Sequence, residues 1–235
     1  MIGAIRHKGF IPWDDDVDVL MYRDDYERFI SEYNQKREDN KSKVISLHND
    51  SEWHRLFSRL VDTETLVKFD KVEQQKFDHH GIWVDIFPVD NAPTNLKPLY
   101  SMVRKARFLY KLESCRIYPV STSFLSRICK VLLRFILMQF PSNFFLKRAE
   151  NVLKQYNGSK TKKRGSFSYI WHDPYIFSSC VFDGYIDTNF EKHNLKIIKG
   201  YDEYLRVQYG DYMKLPPMEY RVADHHPYKA YIIAK

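Results

Sequence analysis

The chain has 235 residues and a formal charge of +7, from 37 Lys plus Arg against 30 Asp plus Glu. At 44% hydrophobic and 29% charged it is neither a disordered tail nor a membrane bundle, and its length suits one domain over residues 1–235. Three cysteines, Cys115, Cys129 and Cys180, have no C-x-x-C spacing, which argues against a disulfide framework or thiolate zinc site and fits a reducing compartment.

Along the chain, Asp16–Met21 alternates polar and apolar residues and predicts a strand. Asp24 offers an N-cap to a helix in which Tyr26, Phe29, Ile30 and Tyr33 recur at helical spacing. Lys43–His48 predicts a strand, Glu52–Arg59 a short helix and Thr65–Phe69 another strand. Gly81–Val89 is rich in β-formers and reads as a strand stopped by Pro88. From Pro98 to about Glu150 the apolar residues recur at three and four. One helix runs through Val103, Arg107 and Tyr110, and another through Ile128, Leu132, Phe135 and Ile136. Asn157–Gly165 is a basic loop, followed by short strands at Ser168–Trp171 and Leu195–Ile198 and a helix at Asp202–Tyr209. The fold class is therefore α+β, a small mixed sheet carrying Asp16, Asp18 and Asp85, with a helical insertion over 98–165. No signal peptide or spanning segment is expected, since Phe124–Phe140 carries Arg127, Lys130 and Arg134, and the expected location is cytoplasmic.

The sharpest local feature is Trp13-Asp-Asp-Asp-Val-Asp-Val. Its four carboxylates repel one another unless cations sit among them. On a strand Asp14, Asp16 and Asp18 project from one face, a spacing that suits hard divalent cations bound through oxygen. A solvated acidic turn is the other reading. Asp85 stands mid-strand between Val84 and Ile86, where an ionised carboxylate is costly without a partner. It either completes a three-carboxylate metal site or forms a structural salt bridge with an arginine.

Three blocks resemble a known family. Gly3-Ala-Ile-Arg-His-Lys-Gly-Phe-Ile-Pro-Trp-Asp-Asp-Asp-Val-Asp-Val is similar to the signature of the LicD family of phosphocholine transferases, to which the fukutin-related proteins are also related. Val84-Asp-Ile-Phe-Pro-Val-Asp is similar to a second block of it. Gly200-Tyr-Asp-Glu-Tyr-Leu and Tyr209-Gly-Asp-Tyr-Met-Lys-Leu-Pro-Pro, with His225-His226 beyond, resemble its closing motif. The resemblance implies a nucleotidyltransferase-like fold, a small mixed β-sheet flanked by helices. It also implies transfer of a phospho-alcohol, phosphocholine from CDP-choline above all, to a hydroxyl of a cell-surface glycan such as lipopolysaccharide, teichoic acid or capsule. By position, Asp16 and Asp18 are the pair that binds Mg²⁺ (or Mn²⁺), Asp85 is the third carboxylate and the base, and Asp14 supports them. Arg6, Lys8 and Arg59 are candidates for phosphate contact, with a solvated or structural charge as the alternative for each. For His225 and His226 the alternatives are a metal or phosphate contact and an inert tail. The family's Gly-Gly-Thr/Ser turn and the helix before it stand ahead of the segment that begins here at Met1. Their absence leaves a shortened site or a longer natural chain as the expectations.

Phe124–Phe140 is a basic amphipathic stretch, open to two readings: peripheral contact with the inner membrane face, where a lipid-linked acceptor would lie, or an ordinary core-packed helix. Nucleic acid is not an expected partner, because the basic residues are scattered or lie in the helical insertion, without a binding signature. A D-x-D glycosyltransferase and a degenerate, non-catalytic binding member are the alternative functions.

Overall fold

The hydrophobic run that contains Asp85 is the strand on which the rest is assembled. The computed structural model describes residues 1–14, 16–69, 81–117, 124–222 and 228–233, with the backbone alone at 69, 124–130 and 228. Strand β5 (Trp83–Ala92) pairs in parallel with β1 (Asp18–Tyr22) and antiparallel with β3 (Ser58–Asp62). Next to β3 lies β2 (Ser42–Ile45), and the far end of β5 continues into β6 (Lys163–Gly165) and β7 (Phe177–Ser178), giving a six-stranded mixed sheet.

Pro88 does not stop β5. The Asp85 N–H donates to the Val17 carbonyl beside β1, whereas the Ile82 carbonyl accepts from Asp62 of β3. Odd residues of β5 therefore bond toward β1 and even ones toward β3 and β6. Pro88 is even, and it falls in the gap between Ile86, the last residue opposite β3, and Asp90, the first opposite β6. No neighbour there requires the N–H that proline lacks.

Helix α1 (Arg23–Lys36) starts at Tyr22, which provides no side-chain cap. Asp24 is not the N-cap; it and Asp25 occupy the first turn, where negative charge complements the helix dipole. Tyr26 and Ile30 of α1 cover Val44 and Ile86, with Met21 and Leu60 packed alongside. Because side chains alternate, Asp18, Asp85 and Arg59 point to the opposite face of the sheet.

Glu52–Arg59 is not a helix. A turn closed by the Trp53 indole N–H, which donates to the Phe57 carbonyl at 2.7 Å, leads directly into β3. Pairing on both edges, with β2 and β5, outweighs the local helical pattern. Helices α2 (Leu96–Ile117) and α4 (Phe144–Leu153) pack together, and their Leu99, Met102, Leu146 and Leu153 join Trp53 and Val61 in the largest core cluster. Between them runs α3 (Phe124–Leu137). The basic loop at 157–165 ends in β6 rather than remaining irregular throughout, and 168–171 is bent chain, its expected strand replaced by β7.

The C-terminal part adds a hairpin, β8 (Tyr185–Phe190) and β9 (His193–Ile198), then α5 (Tyr201–Tyr209). Strand β10 (Tyr228–Ile232) pairs with β4 (Thr65–Phe69). Phe177, Phe182 and Tyr204 pack on Val89, with Ile2, Ile5 and Leu20 against them. That cluster brings the N-terminal residues and the 177–212 region together beside β1. Among the described residues no helix is long and apolar enough to cross a membrane.

Candidate active site

Asp18 of β1 stands opposite Asp85 of β5, and Asp85 stands opposite Arg59 of β3. Partners in register share a face, and adjacent strands run about 4.8 Å apart. The three side chains therefore form a row across the sheet, on the face away from α1. Arg59 grips Asp85 with two parallel bonds, Nε to Oδ1 at 2.7 Å and Nη2 to Oδ2 at 3.1 Å. Its guanidinium lies 4.1 Å from the Trp83 ring centre and 5.1 Å from that of Trp53. Burial pulls the Arg59 guanidinium below its ordinary value, while the bonds to Asp85 act in the opposite direction. The aromatic contacts hold a planar, weakly hydrated cation where a lysine would fit poorly.

The acidic segment reaches this row from a loop that is held at several points. Gly3–His7 forms a single wide helical turn that closes with Lys8 at φ 58°. Gly3 lies so close to Gly9 that a Cβ on it would sit 2.6 Å from the Gly9 carbonyl oxygen, and only glycine fits. The turn of the β8–β9 hairpin clamps the loop: the Glu191 N–H donates to the Lys8 carbonyl at 2.7 Å, and the Glu191 carboxylate accepts from the Phe10 N–H at 3.2 Å. Trp13 then meets His7 edge-on, with Arg221 5.5 Å from its ring centre.

The segment after α5 closes over the same region. Arg6 donates to the carbonyls of Tyr212 at 2.9 Å and Lys214 at 3.4 Å. Buried Tyr212 donates its hydroxyl to Asp202 at 2.8 Å. Tyr209 presents much of its ring to solvent, yet burial around its hydroxyl, and then the charges of Asp14, Asp18 and Asp16, push its pKa up. The first and last motifs of the sequence thus share one electrostatic environment.

The family model described as LicD/FKTN/FKRP, nucleotidyltransferase domain, matches residues 1–125. A lipopolysaccharide cholinephosphotransferase LicD from Haemophilus influenzae (strain Rd) is 30% identical over 239 residues, covering 99% of this chain and 86% of that protein. The chain belongs to the LicD family. Its α+β architecture, a small mixed sheet flanked by helices, agrees with the nucleotidyltransferase description of that family. No solved structure matches it significantly.

Within this LicD-family site the two aspartates of Val84–Asp90 have separate surroundings. Asp85 faces the acidic segment. Asp90 lies on the other parity of β5 and is fully buried, bonded at 2.7 Å by both Nε and Nη2 of Arg23. Arg23 also reaches Glu150 at 3.0 Å, Glu150 meets His48 at 2.8 Å, and Asn157 donates to Asp90 at 2.7 Å. Burial opposes the Arg23 charge, but Asp90 and Glu150 outweigh that and raise its pKa. This network ties the start of α1 to the end of β5 and to α4. Nothing in the sequence marks Asp90 as a structural anchor, although the five-residue separation from Asp85 already puts the two on opposite faces.

The other candidates divide by environment. Arg6 is anchored to backbone carbonyls, Arg59 is anchored to Asp85, and Lys8 is exposed at the loop tip. Asp14 and Asp16 lie in the segment leading into β1, and His225 and His226 lie outside the described residues. Trp83 and Glu191, which hold the guanidinium and the loop, carried no signal in the sequence because each acts from a separate element, and Trp53 was hidden because 52–59 has helical spacing although it folds as a turn into β3. Among the described residues no three His, Cys, Asp or Glu side chains are gathered closely enough to hold a metal ion. The donor chemistry of Asp16, Asp18 and Asp85 nevertheless suits a hard divalent cation. Each Asp85 oxygen has two acceptor sites, and Arg59 takes one on each.

Proposed function

We propose that this LicD-family chain is a cytoplasmic transferase that moves phosphocholine from CDP-choline, or a related phospho-alcohol from its CDP ester, to a hydroxyl of a cell-surface glycan such as lipopolysaccharide. The observation that carries the reading is the transverse row Asp18–Asp85–Arg59 beside the acidic segment, in which Asp18 and Asp85 come from two of the blocks that resemble the family and all three residues fall within the matched 1–125. The 30% identity to a lipopolysaccharide cholinephosphotransferase supports the substrate class.

In this reading Asp16 and Asp18, with Asp85 as the third carboxylate, would hold Mg²⁺ or Mn²⁺. A cation held there would supply charge neutralisation at the phosphoryl oxygens and the leaving CMP. Asp85 accepts the proton of the attacking hydroxyl on a carboxylate oxygen. Arg59 fixes the direction of that carboxylate through its paired bonds, so that the base does not rotate away. Lys8 is exposed on the loop before the acidic segment, and in this reading it would meet donor phosphate as a point charge. Arg6 contributes by holding the 209–217 segment over the site.

The test is CMP release from CDP-choline with a glycan acceptor, followed by product mass. Asp16→Asn and Asp85→Asn should abolish divalent-dependent release while the circular dichroism spectrum persists. A product heavier by phosphocholine supports the assignment, and one heavier by a neutral hexose replaces it with glycosyl transfer. Undiminished turnover in either variant would refute the roles given to these carboxylates.

A further inference from the structure

The helices between β5 and β6 carry a charge distribution that the active site does not use. Residues 96–148 hold eleven of the 37 Lys and Arg but only one of the 30 Asp and Glu, a net of +10. The remaining 182 residues are therefore at −3, and the whole positive balance of the chain resides in this helical layer. The single acid, Glu113, is 1% exposed and bonded to Arg116 at 2.7 Å and to the Phe145 N–H, so it offers nothing to an outside partner.

The same layer exposes its apolar residues. On α3, Leu132, Phe135 and Ile136 are 62%, 73% and 63% exposed, and Val131 is half-exposed. At 3.6 residues per turn these four fall within an arc of about 140°. Leu137, on the opposite side, is buried. A helix packed on the core with its charges in water would show the reverse arrangement. On α2, exposed Tyr100 and Phe108 alternate along one stripe with exposed Arg104 and Lys111.

We propose that α2 and α3 form a docking surface for an anionic phospholipid membrane. Leu132, Phe135 and Ile136 enter the headgroup–acyl boundary, and the surrounding cations meet lipid phosphates. Exposed apolar side chains on a basic amphipathic helix are the recognised chemistry for such an interface. A second copy of the chain is the poorer occupant, because face-to-face contact would set two layers of net +10 against each other. The inference goes beyond the transferase reading and is measured without turnover, so either can fail alone.

The experiment is co-sedimentation of the full chain with phosphatidylcholine vesicles, with and without phosphatidylglycerol. Binding is expected only with the anionic lipid and should weaken as salt rises. Phe135→Asp combined with Leu132→Asp should lower partitioning about tenfold or more, since both side chains are exposed and their loss leaves the core intact. Arg104→Gln with Lys111→Gln should weaken it by about fivefold for each charge removed. Circular dichroism confirms the fold of each variant. Absence of wild-type binding to anionic vesicles, or a wild-type dimer that Phe135→Asp converts to monomer, overturns the proposal.

Discussion

Asparagine in place of Asp90 and asparagine in place of Asp85 should damage this protein in different ways. Arg23, Asp90 and Glu150 have side chains 5%, 0% and 2% exposed, so the Arg23 charge is balanced entirely by its two carboxylates. Neutralising one partner of a buried pair costs roughly 3–5 kcal/mol. In Asp90→Asn the amide keeps the shape and one acceptor, which points to the low end, ~3 kcal/mol. For a chain of this size that lowers the melting temperature by about 6–12 °C. At Asp85 the pair is less buried, 8% and 14%, and the Arg59 guanidinium keeps its aromatic faces. The cost there should be about 1–2 kcal/mol, or roughly 2–8 °C. Thermal and urea unfolding measure the first quantity, and CMP release per folded molecule the second. Asp90→Asn should retain turnover below its lower melting point, and Asp85→Asn should lose turnover while staying folded. Equal melting losses, or an Asp90→Asn protein that melts like wild type yet does not turn over, would refute the division of labour between the two aspartates.

Burial pushes Glu150 up, but His48, Arg23 and Lys154 together hold its carboxyl below the ordinary value. A depressed folded-state pKa gives stability that is complete above the unfolded value of about 4.3 and is lost as pH falls through the folded value. Unfolding free energy should therefore decline below about pH 4.3, and Glu150→Gln should flatten that decline in urea titrations across pH ~3–6. Gly3→Ala forces Gly3 and Gly9 apart and should displace the acidic segment, so turnover should fall by more than the shift in melting temperature explains. Arg6→Ala removes two bonds to the 209–217 segment and should cost about 1–2 kcal/mol, with faster proteolysis near Lys214 as the readout.

The strand carrying Asp85 and the one carrying Asp18 were legible because an alternating or β-branched run announces itself within a few residues. The helical character of 98–150 was equally local. What escaped was pairing. Glu52–Arg59 has helical spacing, yet Arg59 is a strand residue because two neighbours supply its backbone partners. Pro88 looks like a terminator, yet it sits where no neighbour requires its N–H. The β8 strand and the Glu191 clamp left no mark, since a hairpin that holds a loop about 180 residues away has no local signature.

Local chemistry along the chain settled the α+β class, the acidic segment and the blocks that place the protein in its family. Only the fold decided which charges meet. Asp85 faces Asp18 because β1 and β5 run parallel in that register, and its partner is Arg59 because β3 lies on its other side. Asp90, five residues on, turns into the interior to hold Arg23. Alternation along a strand can be read from one sequence, but which strand lies alongside depends on burying apolar faces from many elements at once.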